Sequence, residues 1–309
     1  MNFLNPLFYN IFGLLLLCSG GLLTHGHSAV SGSQTATSGS LSTISQKTDS
    51  PNSSKNNHNS APLFETLPIK AIIERGELIV AMHRDDHSPF HMQSKKGELI
   101  GVDIEVAEKI ARALNVKLRF DRSYKNFDAV VDAVSAGVAD IGISKLSFTI
   151  NRSKKVIFSI PYFTLHKAVL ISRRVLSKIE GNMTIKDVVS LKDVKLGVIK
   201  ESSYVDFAKE MFPDTKLVEC LEEDRLKMLS SGEINAFFRD NNDLGKLLRK
   251  NPDLNLFFAV YSIEEQVDPL YVVTGIKNSN LIGWINAILA NSGAAESQKE
   301  IFTKYKDDL

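Results

Sequence analysis

Cysteine is scarce in this chain, with two among 309 residues, Cys18 and Cys220, so a framework of disulfides is excluded. An excess of either charge is also missing: 37 Lys and Arg face 36 Asp and Glu, and only Lys47, Asp49 and Lys55 precede residue 63. The remainder is neutral and lacks the clustered cations that affinity for phosphate backbones requires, so no nucleic-acid partner is expected. Phosphate-cradling loops are missing too. No GxxxxGK[ST] run occurs, and no two glycines stand two positions apart as GxGxxG demands. No HExxH run occurs, and no lysine has a serine three residues before it, which excludes an SxxK nucleophile. What is present is ordinary globular composition, 43% hydrophobic and 24% charged with 17 Phe, enough to build about two folded units.

No charged side chain precedes Lys47, and residues 11 to 17 form a short apolar run that ends at Cys18. Residues 1–29 therefore read as an export signal, although the usual basic start is absent. Leu15-Leu16-Leu17-Cys18 resembles a bacterial lipoprotein processing site, so tethering through Cys18 and plain cleavage near Ser28 or Ala29 both stay open, with an uncleaved anchor as a third outcome. Residues 30–62 are more than half Ser, Thr and Asn and contain no aromatic residue, so they form a tether rather than a core. Location in the periplasm or outside the cell follows. Lipidation or removal of Cys18 would leave Cys220 without a partner, inside an acidic run, Glu219 to Asp224, that raises its pKa and discourages nucleophilic use.

From residue 63 the pattern changes. Glu77 to Ala81 reads as a strand, and Asp103 offers an N-cap oxygen to a helix with Ile104, Ala107, Ala111 and Leu114 on one face. Val116 to Phe120 follows as a strand, Phe127 to Ala136 as a helix stopped by Gly137, and Ala139 to Ile143 as a strand. Such alternation predicts an α/β architecture with parallel strands. After Pro161 come Ala168 to Ser172, a strand over Val194 to Ile199, a helix over Val205 to Met211 and a strand over Ile234 to Phe238, a second unit of the same kind. Leu270 to Thr274 is a further β-rich stretch, and a last helix begins near Asn280.

In open α/β sheets ligands bind beyond the carboxyl ends of the strands, where loops converge and helix N-termini present free N–H groups. Beyond Ile143 runs Ser144-Lys145-Leu146-Ser147-Phe148-Thr149-Ile150-Asn151-Arg152, in which Thr149 is placed to cap a short helix carrying Arg152 on its first turn. A serine hydroxyl, free N–H groups and a guanidinium can there meet one carboxylate. Beyond Ile199 the polar turn Lys200 to Tyr204 opens another helix, and beyond Phe238 stand Arg239 and Asp240, the latter suited to an ammonium. Anion donors on one unit and an acid on the other suit an α-amino acid held between them.

The same stretches carry a resemblance. Gly101-Val102-Asp103-Ile104-Glu105-Val106 with the following Ala107 to Leu114, the loop Asp140 to Arg152, and Phe158-Ser159-Ile160-Pro161-Tyr162-Phe163 are similar to motifs of the bacterial extracellular solute-binding proteins of the polar amino-acid transport type, over about residues 65–309. That resemblance implies a two-lobed periplasmic binding protein-like fold, each lobe a mostly parallel sheet flanked by helices, joined by two crossover strands. Lobe one would take residues 63–166 and 263–309, and lobe two residues 167–262. It implies further that Arg152 and Ser147 bind the ligand carboxylate, Asp240 its ammonium, Ser203 a second-lobe contact, and that Phe127 is an aromatic platform. Two positions depart from the family pattern: Asp86 lies near a usual aromatic residue, and Lys145 replaces a small one.

Each assignment has a plainer competitor. Arg152 lies in the basic run Arg152-Ser153-Lys154-Lys155 and reads as a solvated helix face; Ser147 and Ser203 suit turns, Asp240 a turn start, Phe127 a core, and Lys145 most simply points to solvent. His83, His87 and His91 recur every four residues, a metal-ligand spacing on a helix, yet Pro89 disfavours a helix there, so the segment reads as a loop with metal binding as a minor alternative. The expected function is the extracytoplasmic substrate-binding component of an amino-acid ABC transporter, a monomer with no cofactor. It closes on a polar amino acid, with crossings near Phe163 to Ala168 and Ser262 to Leu270 as hinges, and delivers it to a membrane permease. It is not expected to be an enzyme. Two alternatives remain open: a cyclohexadienyl dehydratase-like enzyme with Asp86 or Asp240 as proton donor, and a tethered solute sensor. The ligand side chain is not fixed, since Asp85 and Asp86 suit a cation, Lys145 suits an acid, and Phe127 stacks on either.

Overall fold

The run from Glu77 to His83 alternates as it extends, sending Leu78 and Val80 into one core and Ala81 into another, and forms strand β1 (Glu77–His83). The computed structural model describes residues 68–179, 181–292 and 298–305. The remaining strands in chain order are β2 (Met92–Gln93), β3 (Leu99–Ile100), β4 (Lys117–Tyr124), β5 (Ile141–Ser147), β6 (Val156–Phe158), β7 (Phe163–Ser172), β8 (Lys195–Ile199), β9 (Lys216–Cys220), β10 (Ala236–Asp240) and β11 (Phe258–Gly275). One sheet runs in the order β4-β1-β5-β11-β7-β10-β8-β9, with β6 also paired to β11, while β2 and β3 make a separate hairpin.

Strand direction divides this sheet into two lobes. In the first, β1 pairs parallel with β4 and β5; in the second, β8 pairs parallel with β9 and β10. Between them β11 and β7 pair antiparallel with each other and each with its own lobe. Their ladder breaks between Ser262 and Val267 on β11, inside the stretch expected to act as a hinge. Every residue of β5 is buried, as parallel strands covered on both faces require, and helices Val102–Leu114 and Phe127–Ser135 supply the two covers. Helices Ser203–Met211 and Asn241–Lys250 cover the second lobe in the same way. The α/β two-lobed architecture read from the sequence is the one observed.

Several local expectations change. Helix Val102–Leu114 is capped by Gly101, not Asp103; at φ 128 a Cβ on residue 101 would collide with the Phe90 carbonyl. Asp103 is freed from capping and fully buried, where it accepts from the Lys145 N–H (2.9 Å) and the Tyr162 hydroxyl (2.5 Å) and pairs with His91 Nδ1 (2.8 Å). Strand β5 runs on to Ser147, so Lys145 and Ser147 stand on a strand rather than in the loop beyond it. The signal segment, Cys18 and the tether lie outside the described residues.

Candidate ligand-binding site

Both lobes end their parallel strands on the same cleft. From the first lobe, β5 delivers Lys145 and Ser147, and the next turn delivers Arg152. Thr149 caps that turn as expected, its hydroxyl accepting from the Arg152 N–H at 3.2 Å. Arg152 is 4% exposed; its Nε donates to Asp128 at 2.8 Å and one Nη to the Ser147 carbonyl at 3.1 Å, which uses two of the five donors a guanidinium carries. Asn126 caps the helix that starts at Phe127 by accepting from the Ala129 N–H. Phe127 therefore stands at the head of that helix, with one part in the core and the other on the cleft.

From the second lobe, β10 ends at Asp240, whose Oδ1 accepts from the Asp243 N–H (2.9 Å) and so caps helix Asn241–Lys250. Its Oδ2 faces the other lobe and meets Lys145 Nζ at 2.6 Å, with both side chains buried. Lys145 does not point to solvent. It lies at φ 51, and that left-handed backbone turns its chain inward across the cleft. Ser203 opens helix Ser203–Met211 and is buried at the same place.

Phe127, Lys145, Ser147, Arg152, Ser203 and Asp240 thus surround one floor cavity of about 10 Å³, room for a single water. Three residues to which the sequence gives no role complete it: Tyr204, Arg239 and Asp268. Tyr204 donates to Asp268 Oδ2 at 3.0 Å, and Asp268 Oδ1 has no partner. Burial pushes the Asp268 carboxyl above its usual range, against the pull of the Ser147 hydroxyl, and Asp240 adds to the rise. Arg239 was legible only as a strand-end charge. Asp268 gives no signal within its crossover strand.

Above the floor, Phe127, Lys145 and Arg239 also line a wider cleft of about 630 Å³, within the range of small-molecule sites. Asp86 belongs to this outer part, not to the floor. Its carboxylate accepts from Arg122 Nη2 (2.8 Å) and the Gln93 N–H (3.0 Å), which makes it a loop anchor on the rim. Three polar contacts bridge the lobes here: Asn126 Nδ2 donates to Glu201 Oε2 (2.6 Å), and Asn242 Nδ2 and Lys246 Nζ donate to the Ser88 carbonyl (3.2 Å) and hydroxyl (3.1 Å).

His83, His87 and His91 are brought together by their loop as a cluster of packed rings. Among the described residues no group of three or more His, Cys, Asp and Glu is arranged to hold a metal ion. The rings pack edge to face with centroids 4.7 and 5.2 Å apart, His83 Nδ1 accepts from the Asp85 N–H, and His91 Nδ1 is taken by Asp103. Burial lowers the pKa of His83 to about 4 and holds His87 well below its usual value. Cys220 is buried, and burial with nearby carboxylates pushes its thiol up to about 11, so it is a poor nucleophile, as its acidic run suggested. Among the described residues no helix is long and apolar enough to cross a membrane.

The model of the bacterial extracellular solute-binding proteins, family 3, matches residues 78–308. An arginine-binding periplasmic protein of Mannheimia haemolytica is 26% identical over 242 residues, covering 78% of this chain and 96% of the relative. An amino acid ABC transporter substrate-binding protein of Streptococcus pneumoniae, solved with L-arginine, has a TM-score of 0.61 and 27% identity, covering 77% of this chain and 98% of that one. The solved structure of an ancestral amino acid-binding protein, a precursor of cyclohexadienyl dehydratase, has a TM-score of 0.60 and 25% identity, covering 78% and 98%. With the match running through both lobes and every strand of the sheet, the chain belongs to the bacterial extracellular solute-binding proteins, family 3.

Proposed function

We propose that this protein is the periplasmic or extracellular binding component of an amino-acid ABC transporter, closing lobes 63–166 with 263–309 and 167–262 around one polar amino acid and presenting the closed form to a membrane permease. The observation that carries the reading is the convergence, from opposite lobes, of Arg152 and Ser147 with Asp240 and Ser203 on one buried floor beside Phe127. A guanidinium with spare donors suits an α-carboxylate, and a buried aspartate oxygen held by a helix cap suits an α-ammonium. Relatives that bind arginine, among them the Streptococcus pneumoniae protein, support an amino-acid ligand.

Binding without chemistry is part of the proposal. The two acids expected as proton donors are both engaged, Asp86 by Arg122 and Asp240 by Lys145, which speaks against a dehydratase role at either; Asp268, with one unpartnered oxygen on the floor, is the acid that a turnover assay tests. For a ligand to enter, the floor must open, because about 10 Å³ admits no amino acid while Lys145 stays on Asp240. Arg152→Ala should abolish amino-acid binding in calorimetry while the thermal melt remains cooperative. Unchanged affinity would remove Arg152 from the site and the reading with it. Turnover of prephenate or arogenate by the purified protein would replace it with the enzyme.

A further inference from the structure

Resting on the reading above, the side-chain end of the cleft carries its own chemistry. Most of its acids are already engaged. Asp86 accepts from Arg122, Asp85 faces Arg84 (3.3 Å), Glu201 accepts from Asn126, and Glu222 and Asp243 both meet Arg225 (2.6 and 2.5 Å). Among the described residues of the wider cleft only Glu223, at the exposed rim, has no partner, and on the floor Asp268 keeps one oxygen unpartnered while the other accepts from Tyr204.

Arg239 is in the opposite state. It is 3% exposed and lines both the floor and the wider cleft, yet its Nε has no hydrogen-bond partner. Its nearest carboxylate oxygens, on Asp240 and Asp243, are 3.9 Å away, too far for a hydrogen bond. The guanidinium lies near the Phe127 and Tyr204 rings, 5.8 and 5.3 Å from their centroids, cation–π contacts that use none of its N–H donors. Asp240 is spent on Lys145 and Asp243 on Arg225. A buried guanidinium with an unpartnered Nε and only long ion pairs to Asp240 and Asp243 suits an incoming carboxylate, and a cationic side chain would meet it as a like charge in a desolvated place.

The geometry points to a ligand with a second carboxylate: an acidic amino acid whose distal group is received by Arg239 and by Lys145, the latter released from Asp240 as the ligand ammonium takes its place. The exchange balances. One buried ammonium leaves Asp240 and another arrives, and the added negative charge meets the one guanidinium of the cleft that lacks a hydrogen-bonded acid. By the same logic the cleft rejects lysine, and also arginine, the ligand of relatives it resembles.

Calorimetry on the full chain with L-glutamate, L-aspartate, L-glutamine, L-arginine, L-lysine and 2-oxoglutarate tests this. Glutamate or aspartate should bind at least about tenfold more tightly than glutamine, with no heat from arginine or lysine. Arg239→Met, which keeps the stem and removes the charge, should weaken the acidic ligand by about 10- to 100-fold, the range of one charge-assisted pair, and glutamine by less than about threefold. The wild-type ranking needs no variant, so it decides the matter even if Arg239→Met fails to fold. Arginine or lysine binding more tightly than glutamate would overturn the inference and leave the amino-acid reading intact. Binding of 2-oxoglutarate with no amino acid bound would overturn that reading and leave the preference for two carboxylates standing.

Discussion

Lys145 holds a left-handed backbone at φ 51, a conformation that costs a residue with a Cβ about 1 kcal/mol and persists only where its surroundings fix it. Two bonds fix it. Its N–H reaches the buried Asp103 carboxylate, and its Nζ reaches Asp240 across the cleft. Removing the charge of Asp240 therefore has two readable effects. Asn caps helices as well as Asp, so Asp240→Asn keeps helix Asn241–Lys250 capped and isolates the charge. The variant strands a buried ammonium and should cost the ligand-free protein about 3 kcal/mol in urea unfolding. It should also weaken α-amino acids by about 10- to 100-fold while matching acids without the amino group lose little. Equal losses for both ligand classes would deny Asp240 the ammonium.

At the scale of elements, the loop from His83 to His91 shows where sequence reasoning stops. Pro89 disfavours a helix there, but spacing alone cannot tell three converging ligands from three rings packed edge to face; that depends on Asp103, twelve residues from His91, reaching back to its Nδ1. Capping was legible at Thr149, went unread at Asn126, and was misread at Asp103, where a long-range hydrogen-bond set won over the helix start. Strand ends were the least legible, because β5 continues through Lys145, a residue that sequence alone sends to solvent. The same loop sets a pH dependence. His83 and His87 are held neutral when folded but titrate near 6.5 when unfolded, so the unfolded chain binds more protons below that value. Stability is then complete above pH 6.5 and falls as pH drops towards 4, by on the order of 3 kcal/mol for His83 alone. Urea midpoints from pH 7.5 to 4.5 should show that slope, and His83→Gln should flatten it; a wild-type midpoint independent of pH would contradict the buried neutral state.

For the whole molecule, the balance between open and closed lobes turns on a few contacts. One buried ion pair, Lys145 with Asp240, and three polar links, at Glu201 and twice at Ser88, bridge the cleft, and such links contribute about 0.5–1.5 kcal/mol each. That sum is small enough for a ligand touching both lobes to shift, and a ligand-free protein already partly closed is the consequence. Glu201 offers a clean lever. It stands at φ 59, where glycine is at ease, so Glu201→Gly removes the link to Asn126 without adding strain to the second lobe. Small-angle scattering of the ligand-free variant should give a larger radius of gyration than the wild type, with both reaching the same value at saturating ligand. Affinity should fall by no more than about tenfold, since the loss cannot exceed the one hydrogen bond that favoured the closed form. If the radius stays the same while affinity drops a hundredfold, Glu201 is touching the ligand itself, and the second lobe has a further anchor in the cleft.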